Sequence, residues 1–143
     1  MIESFKKDHT KITAPSIRNS VSYKRGDIAV IKFDIRLVKP NTTYIDDKTM
    51  HSMEHLMATA FKKIFKDDMI DLSPMGCKTG FYLTIFACDD MINKIKESLI
   101  ISPKVKIPKP TKYNCGSYLL HNIEGARVFL ERVANEIYNS RSD

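Results

Sequence analysis

TMHSMEHLMATAFKKIF, residues 49–65, is the segment that organises the predicted fold. Its apolar side chains recur at the spacing of an α-helix and form one unbroken stripe. A stripe of this kind predicts a helix that packs against a sheet, and either Asp47 or Thr49 could cap its first turn. The stripe consists of Met53, Leu56, Met57, Ala60, Phe61 and Ile64.

The same helix carries two histidines, His51 and His55, on the side opposite the apolar stripe. Side chains four residues apart share one helix face, so the pair can supply two ligands to a metal ion. Glu54 lies beside them as a candidate general base, and the order His-x-x-Glu-His matches the inverted zincin motif. Because this face points away from the helix's own core, we expect another element or a second subunit to cover it.

A β-hairpin is predicted from Ile17 to about Val38, with its turn at Lys24-Arg25-Gly26-Asp27. Gly26 can take the positive φ that a tight turn requires. The second strand alternates between apolar and polar residues, which predicts one face in the core and one facing solvent. Arg36 lies on the polar face, either solvated or as a clamp for an anion or a hydroxyl group. The core face is formed by Ala29, Ile31, Phe33, Ile35 and Leu37, and the polar face by Lys32, Asp34 and Arg36.

The remaining segments complete a single α+β domain, residues 1–143, with an antiparallel sheet packed against helices. Residues 1–16 are expected to form an irregular arm that ends at Pro15. Two more strands are predicted, over residues 69–73 and 81–88, and Cys88 is expected to be a small buried side chain. Asp89 or Asp90 should cap a helix that stops before Pro103, and a second helix should start near Asn122.

Composition limits the classes of function. The chain has 143 residues and a net charge of +6, but its lysines are scattered, which argues against a nucleic-acid-binding surface. It lacks an apolar run of about 18 residues, so no membrane span is predicted. The charged N-terminus does not resemble a signal peptide, and we expect a cytoplasmic protein. Three cysteines cannot all form disulfide bonds with one another, so metal binding or catalysis is the more specific role predicted for some of them.

Cys77 lies between two glycines in MGCKTG, residues 75–80. Such a loop predicts an accessible thiol on a tight turn, and the neighbouring Lys78 could favour its thiolate form. A catalytic metal site needs at least one protein ligand besides the two histidines. From the residues alone, that ligand could be Cys115 or an acidic residue such as Glu124 or Glu131.

Six blocks of the sequence stand out, in chain order: SFKKDHT, FDIR, HSMEHL, SPMGCKTGFYL, NCG and HNIEGA. Together they resemble the LuxS family of S-ribosylhomocysteine lyases. The resemblance extends over nearly the whole chain and is far more specific than the five-residue histidine motif. Two features depart from the family: Ser52 and Met53 replace a common threonine and leucine, and the segment after Cys88 looks shortened.

The resemblance implies a role for each candidate residue. It implies that His51, His55 and Cys115 bind one divalent metal ion per subunit, with Fe(II) expected and Zn(II) or Co(II) as possible substitutes. Cys77 and Glu54 would act as the acid and base. The positions that contact or orient the substrate would be Ser4, His9, Arg36 and Asp71.

The resemblance also implies the reaction and the assembly. S-ribosylhomocysteine would be converted to homocysteine and 4,5-dihydroxy-2,3-pentanedione, the precursor of autoinducer-2, by migration of a carbonyl group and β-elimination. The enzyme would be a homodimer with its active sites at the subunit interface. The alternatives are a small metallopeptidase-like hydrolase with Glu131 as third ligand and a metal-stabilised nucleic-acid-binding module. Both leave Cys77 without a role.

Overall fold

The framework of the protein is a four-stranded antiparallel sheet with the strand order β1-β2-β4-β3. A computed structural model describes residues 2–140. The strands are β1 (Ser16–Arg25), β2 (Ile28–Arg36), β3 (Met69–Pro74) and β4 (Gly80–Phe86). The helices are α1 (Glu3–Lys6), α2 (Asp47–Phe65), α3 (Met91–Ile101) and α4 (Ile123–Ser140), with short 3-10 turns at His9–Lys11, Lys66–Asp68 and Ser102–Lys104. This architecture confirms the predicted α+β class.

The predicted hairpin is confirmed, with Arg25 paired to Ile28 and Gly26 at a φ of 59°. The solvated face predicted for β2 is wrong at its C-terminal end, where Asp34 and Arg36 are each only 1% exposed. Both groups can be buried because Asp34 pairs with Arg36 and with Arg18 on the adjacent strand, each at 2.7 Å. Lys7, from the N-terminal arm, adds a third cation at 3.8 Å.

Helix α2 forms the centre of the core. Its apolar stripe is buried as predicted, apart from a partly exposed Ile64, and packs with strand residues such as Phe33 and Leu83. The cap differs from the prediction, because Asp46 caps the helix instead of Asp47 or Thr49. The carboxylate of Asp46 accepts hydrogen bonds from the Thr49 backbone N–H at 2.9 Å and from its hydroxyl at 2.8 Å.

Helices α3 and α4 pack against α2 and against each other. Asp90 precedes α3, as predicted, but its side chain makes no capping bond to the helix backbone. Cys88 lies just beyond β4 and is half-buried, and this burial raises the pKa of its thiol. Asn122 precedes α4, and its side-chain oxygen accepts the Gly125 N–H at 3.0 Å.

None of the helices described within residues 2–140 is long and apolar enough to cross a membrane.

Candidate active site

Four side chains converge on one point of the α2 surface. His51 and His55 come from α2, Cys115 from the turn that precedes α4, and His121 from the residues directly before α4. The ligand atoms of these four residues all lie within 4.8 Å of one another. The predicted metal ligands are therefore adjacent, and the acidic alternatives Glu124 and Glu131 do not belong to this group. The face that was expected to need another element is covered in part by the chain's own residues 115–121.

The hydrogen bond of His51 prepares it to bind a metal ion. Its Nδ1 lies 2.6 Å from the carbonyl oxygen of Leu120. A carbonyl oxygen only accepts, so Nδ1 carries the proton and Nε2 keeps its lone pair. Nε2 of His51 is 3.5 Å from Sγ of Cys115, and Nε2 of His55 is 3.8 Å from the same sulfur.

The surroundings of His55 also favour the neutral form that binds a metal ion. Burial lowers its pKa, and the neighbouring His51 lowers it further, whereas the charge of Glu54 acts in the opposite direction. A neutral imidazole is the form that binds metal. Two imidazoles and a thiolate form a donor set that fits Zn(II), Fe(II) or Co(II), and fits Mg²⁺ or Ca²⁺ poorly.

His121 is the member of this cluster to which the sequence analysis gave no role. It lies six residues after Cys115, in the block HNIEGA. The only signal in the sequence for this residue was that it lies close to a candidate cysteine ligand. Its proximity to His51 could not be predicted, because it depends on how the turn folds back over α2. The rings of His51 and His121 are stacked, with centroids 3.9 Å apart.

Cys77 lies in a second group, formed at the end of the sheet. Its thiol is exposed, as predicted, and its Sγ is 3.0 Å from Oγ1 of Thr79 and 3.7 Å from Nη1 of Arg36. The same Nη1 donates to Oγ1 of Thr79 at 2.8 Å. The buried Arg36 is therefore aimed at the thiol and is not solvated. His9 and Cys77 line one cavity of about 370 Å³, together with residues 40–44.

Glu54 and His51 line a second cavity, of about 320 Å³, whose other wall includes Gly76 and Lys78. The turn that carries Cys77 thus contributes residues to the walls of both cavities. Lys78 does not support the thiolate, since its ammonium group pairs with Asp47 at 2.5 Å. The hydrogen bond to Asp47 raises the pKa of Lys78.

Ser4 and Asp71 are the two remaining candidates for contact with a substrate. Ser4 is half-buried in α1, and Asp71 is exposed on β3, where it accepts a hydrogen bond from Ser73. Neither residue lines the cavity of Cys77 or the cavity of Glu54.

Comparison with known proteins identifies the family. The family model described as S-ribosylhomocysteinase (LuxS) matches residues 2–143. An S-ribosylhomocysteine lyase of Clostridium perfringens is 44% identical over 92% of this chain and 90% of its own length. Proteins of the same name from Exiguobacterium sibiricum and Staphylococcus aureus are 36% and 37% identical, over 92% and 91% of this chain and 88% and 86% of their own lengths. On this evidence, the chain belongs to the LuxS family.

Proposed function

We propose that this protein is a metal-dependent carbon–sulfur lyase that cleaves S-ribosylhomocysteine into homocysteine and 4,5-dihydroxy-2,3-pentanedione. The observation that carries the proposal is the cluster of His51, His55 and Cys115, whose ligand atoms lie within 4.8 Å of one another. Its relatives bear the name S-ribosylhomocysteine lyase. The five-carbon product is the precursor of autoinducer-2, so the proposed roles are the recycling of homocysteine and the supply of that signal.

His51, His55 and Cys115 would hold one divalent cation per subunit, and the resemblance to the family favours Fe(II). Such an ion supplies Lewis acidity to a substrate carbonyl. In this proposal the His-x-x-Glu-His segment of α2 supplies both metal ligands and a general base. Glu54 is next to His55 in sequence and lines a cavity with His51. Three ligands from the protein would leave a coordination position for the substrate.

Cys77 and Glu54 would transfer the protons. Each removes a proton from one carbon of the open-chain sugar or returns one to the neighbouring carbon, so that the carbonyl group migrates along the chain through enediolates. β-Elimination then breaks the carbon–sulfur bond and releases homocysteine. The guanidinium of Arg36, 3.7 Å from Sγ, would position the sulfur of Cys77 for this proton transfer.

Asp34 would set the direction of that guanidinium. Its carboxylate accepts from both Nε and Nη2 of Arg36, at 3.2 and 2.7 Å. This two-point contact leaves Nη1 as the group that reaches Thr79 and Cys77. Arg36 and His9 would contact the substrate beside Cys77, since His9 lines the same cavity.

We propose a cytoplasmic homodimer of single-domain subunits, each spanning residues 1–143, that acts on this small molecule and binds neither nucleic acid nor membrane. The positions of Ser4 and Asp71, outside the cavities of Cys77 and Glu54, support active sites that are shared between subunits. Apolar side chains that a partner could cover include Phe5 and Tyr44, which are each 69% exposed.

Subunit mixing tests the shared site. A Ser4→Ala subunit combined with a Cys77→Ala subunit should regain activity, because one site of the heterodimer would then contain both native residues. Arg36 is unsuitable for this pairing since it contacts Cys77 within one subunit. Heterodimers as inactive as the parent variants would contradict the action of Ser4 across the interface.

The function is tested by incubating the purified protein anaerobically with S-ribosylhomocysteine and titrating the released thiol. Cys77→Ala should abolish release while retaining metal and fold, because the side chain is exposed and outside the metal cluster. Cys88→Ala is the matched control and should remain active. Substantial turnover by Cys77→Ala would contradict its proposed role.

Metal analysis separates the lyase from the hydrolase alternative. Cys115→Ala should lose the metal, and Glu131→Ala should keep it, since Glu131 lies outside the ligand cluster. The reverse result would favour a hydrolase that uses the same helix.

A further inference from the structure

We infer that His121 is a positioning residue that donates its Nε2–H to the sulfur of Cys115, and that Ser52 holds it in this tautomer. His121 would therefore not be a fourth metal ligand, although its ring nitrogen lies as close to Cys115 as that of His51. This inference rests on the proposed metal site. It concerns the residues that surround the ligands and set their properties.

The hydroxyl group of Ser52, on α2, is completely buried, with 0% of the residue exposed. The backbone N–H of Asn122 donates to its Oγ at 2.8 Å. The same Oγ lies 2.8 Å from Nδ1 of His121. Thr59 and Ser98 donate their hydroxyls to the carbonyl four residues earlier in their helices. Among the described residues, the hydroxyl of Ser52 instead has only two hydrogen-bond partners, His121 and the backbone N–H of Asn122.

The hydroxyl of Ser52 has a single proton to donate. An amide N–H can only donate, so Oγ of Ser52 accepts from Asn122 and must place its own proton elsewhere. Because the group is buried, Nδ1 of His121 is the acceptor available to it. Nδ1 therefore keeps its lone pair, and in the neutral ring the proton is on Nε2.

The Nε2–H of His121 faces the sulfur of Cys115. Nε2 of His121 is 3.5 Å from Sγ of Cys115. Stacking on His51, with an angle of 26° between the planes, limits rotation of the ring. His51 and His121 thus have opposite tautomers: a carbonyl partner leaves Nε2 of His51 free to bind metal, and a hydroxyl partner makes Nε2 of His121 a donor.

The consequence is an open coordination position. A histidine that donates to the thiolate fixes the ligand without occupying a site on the metal, so the substrate can still bind there. A fourth protein ligand would instead complete a closed set of the kind found in structural zinc sites.

Nitrogen-15 NMR of the histidine side chains tests the tautomers directly, in the zinc-loaded and in the metal-free protein. The chain has four histidines, so single substitutions can assign the signals. His121 should show a pyrrole-type Nε2 and a pyridine-type Nδ1 in both samples. A pyrrole-type Nδ1 with Nε2 bound to zinc would overturn the inference. Failure to bind zinc or to release thiol would count against the proposed function instead, because the metal-free spectrum still reports the tautomer.

Substitution of Ser52 gives a second readout. Ser52→Ala should weaken Co(II) binding by about 10- to 100-fold and shift the cobalt–thiolate absorption band. Ser52→Thr keeps the hydroxyl and should restore both properties. A Ser52→Ala protein with wild-type affinity and spectrum would overturn the inference, and if this variant does not fold, the NMR of the native protein decides the question.

Discussion

Nη1 of Arg36 lies 3.7 Å from Sγ of Cys77, although 41 residues separate them along the chain. The other two nitrogens of the guanidinium are both bonded to the buried carboxylate of Asp34. Strand pairing creates this contact, because Arg36 is opposite Gly80, three residues after the cysteine. A buried ion pair thus fixes a positive charge beside an exposed thiol.

Replacing Arg36 should slow the reaction of Cys77 with an alkylating agent at neutral pH. The expected cause in Arg36→Gln is the loss of the positive charge and the N–H donor that lie beside the sulfur of Cys77. The rate of iodoacetamide modification at Cys77, followed by mass spectrometry, measures this effect. Arg18→Gln is the matched control, since Arg18 also pairs with Asp34 but makes no contact with Cys77. Equal rates in the two variants would contradict the role of Arg36.

Glu54→Gln should block thiol release and leave the metal content near one ion per subunit. Loss of a positioned general base lowers turnover by about 10²- to 10⁴-fold, and the isosteric amide preserves packing. The measurements are thiol release and metal analysis on the same sample. Glu97→Gln, an exposed acid on α3, should leave both unchanged. Loss of metal from Glu54→Gln would show a structural role instead.

Gly80→Ala should destabilise the fold by about 1–3 kcal/mol or more. A Cβ at this position would overlap the backbone carbonyl oxygen of Ile35 on the neighbouring strand, which cannot move without breaking the pairing of β2 with β4. Gly76→Ala provides the control because a Cβ there meets nothing within 4 Å. Urea unfolding compares the two variants, and equal midpoints would refute the steric argument.

The cap of α2 should make stability depend on pH. The backbone and hydroxyl hydrogen bonds from Thr49 lower the pKa of Asp46. The stabilisation is therefore fully present above the unfolded pKa of about 3.9 and is lost as the pH falls through the lower, folded value. At neutral pH Asp46→Ala should cost about 1 kcal/mol.

The matched control is Asp46→Asn, which keeps the capping oxygen but cannot titrate. Unfolding of the metal-free protein by urea, measured from pH 6 to pH 3, should show the stability difference between wild type and Asp46→Ala shrinking in acid. The free energy of unfolding of Asp46→Asn should show no acid-dependent loss that arises from position 46. An unchanged difference between wild type and Asp46→Ala across this range would contradict the role of the ionised cap.

Local patterns predicted the parts of the protein that depend on neighbours in sequence. The stripe of α2 follows from helical periodicity, and the hairpin follows from alternation and a glycine turn. The cap was misplaced by one residue, because acids at positions 46 and 47 are equivalent in composition and only the backbone geometry distinguishes them. The burial of Asp34 was missed since its compensating cation Arg18 comes from another strand.

Helical periodicity was enough to predict the helix face that presents His51 and His55, and the family resemblance predicted Cys115 as third ligand in place of an acidic residue. Neither pattern could predict that His121 joins this cluster, or that each ring directs its Nε2 towards Cys115, because both depend on how the chain folds back over α2. The physical reason is that the proton on an imidazole follows the partner of its other nitrogen. For His51 that partner is the Leu120 carbonyl, 69 residues away in the chain. For His121 it is the hydroxyl of Ser52, at the same separation in sequence.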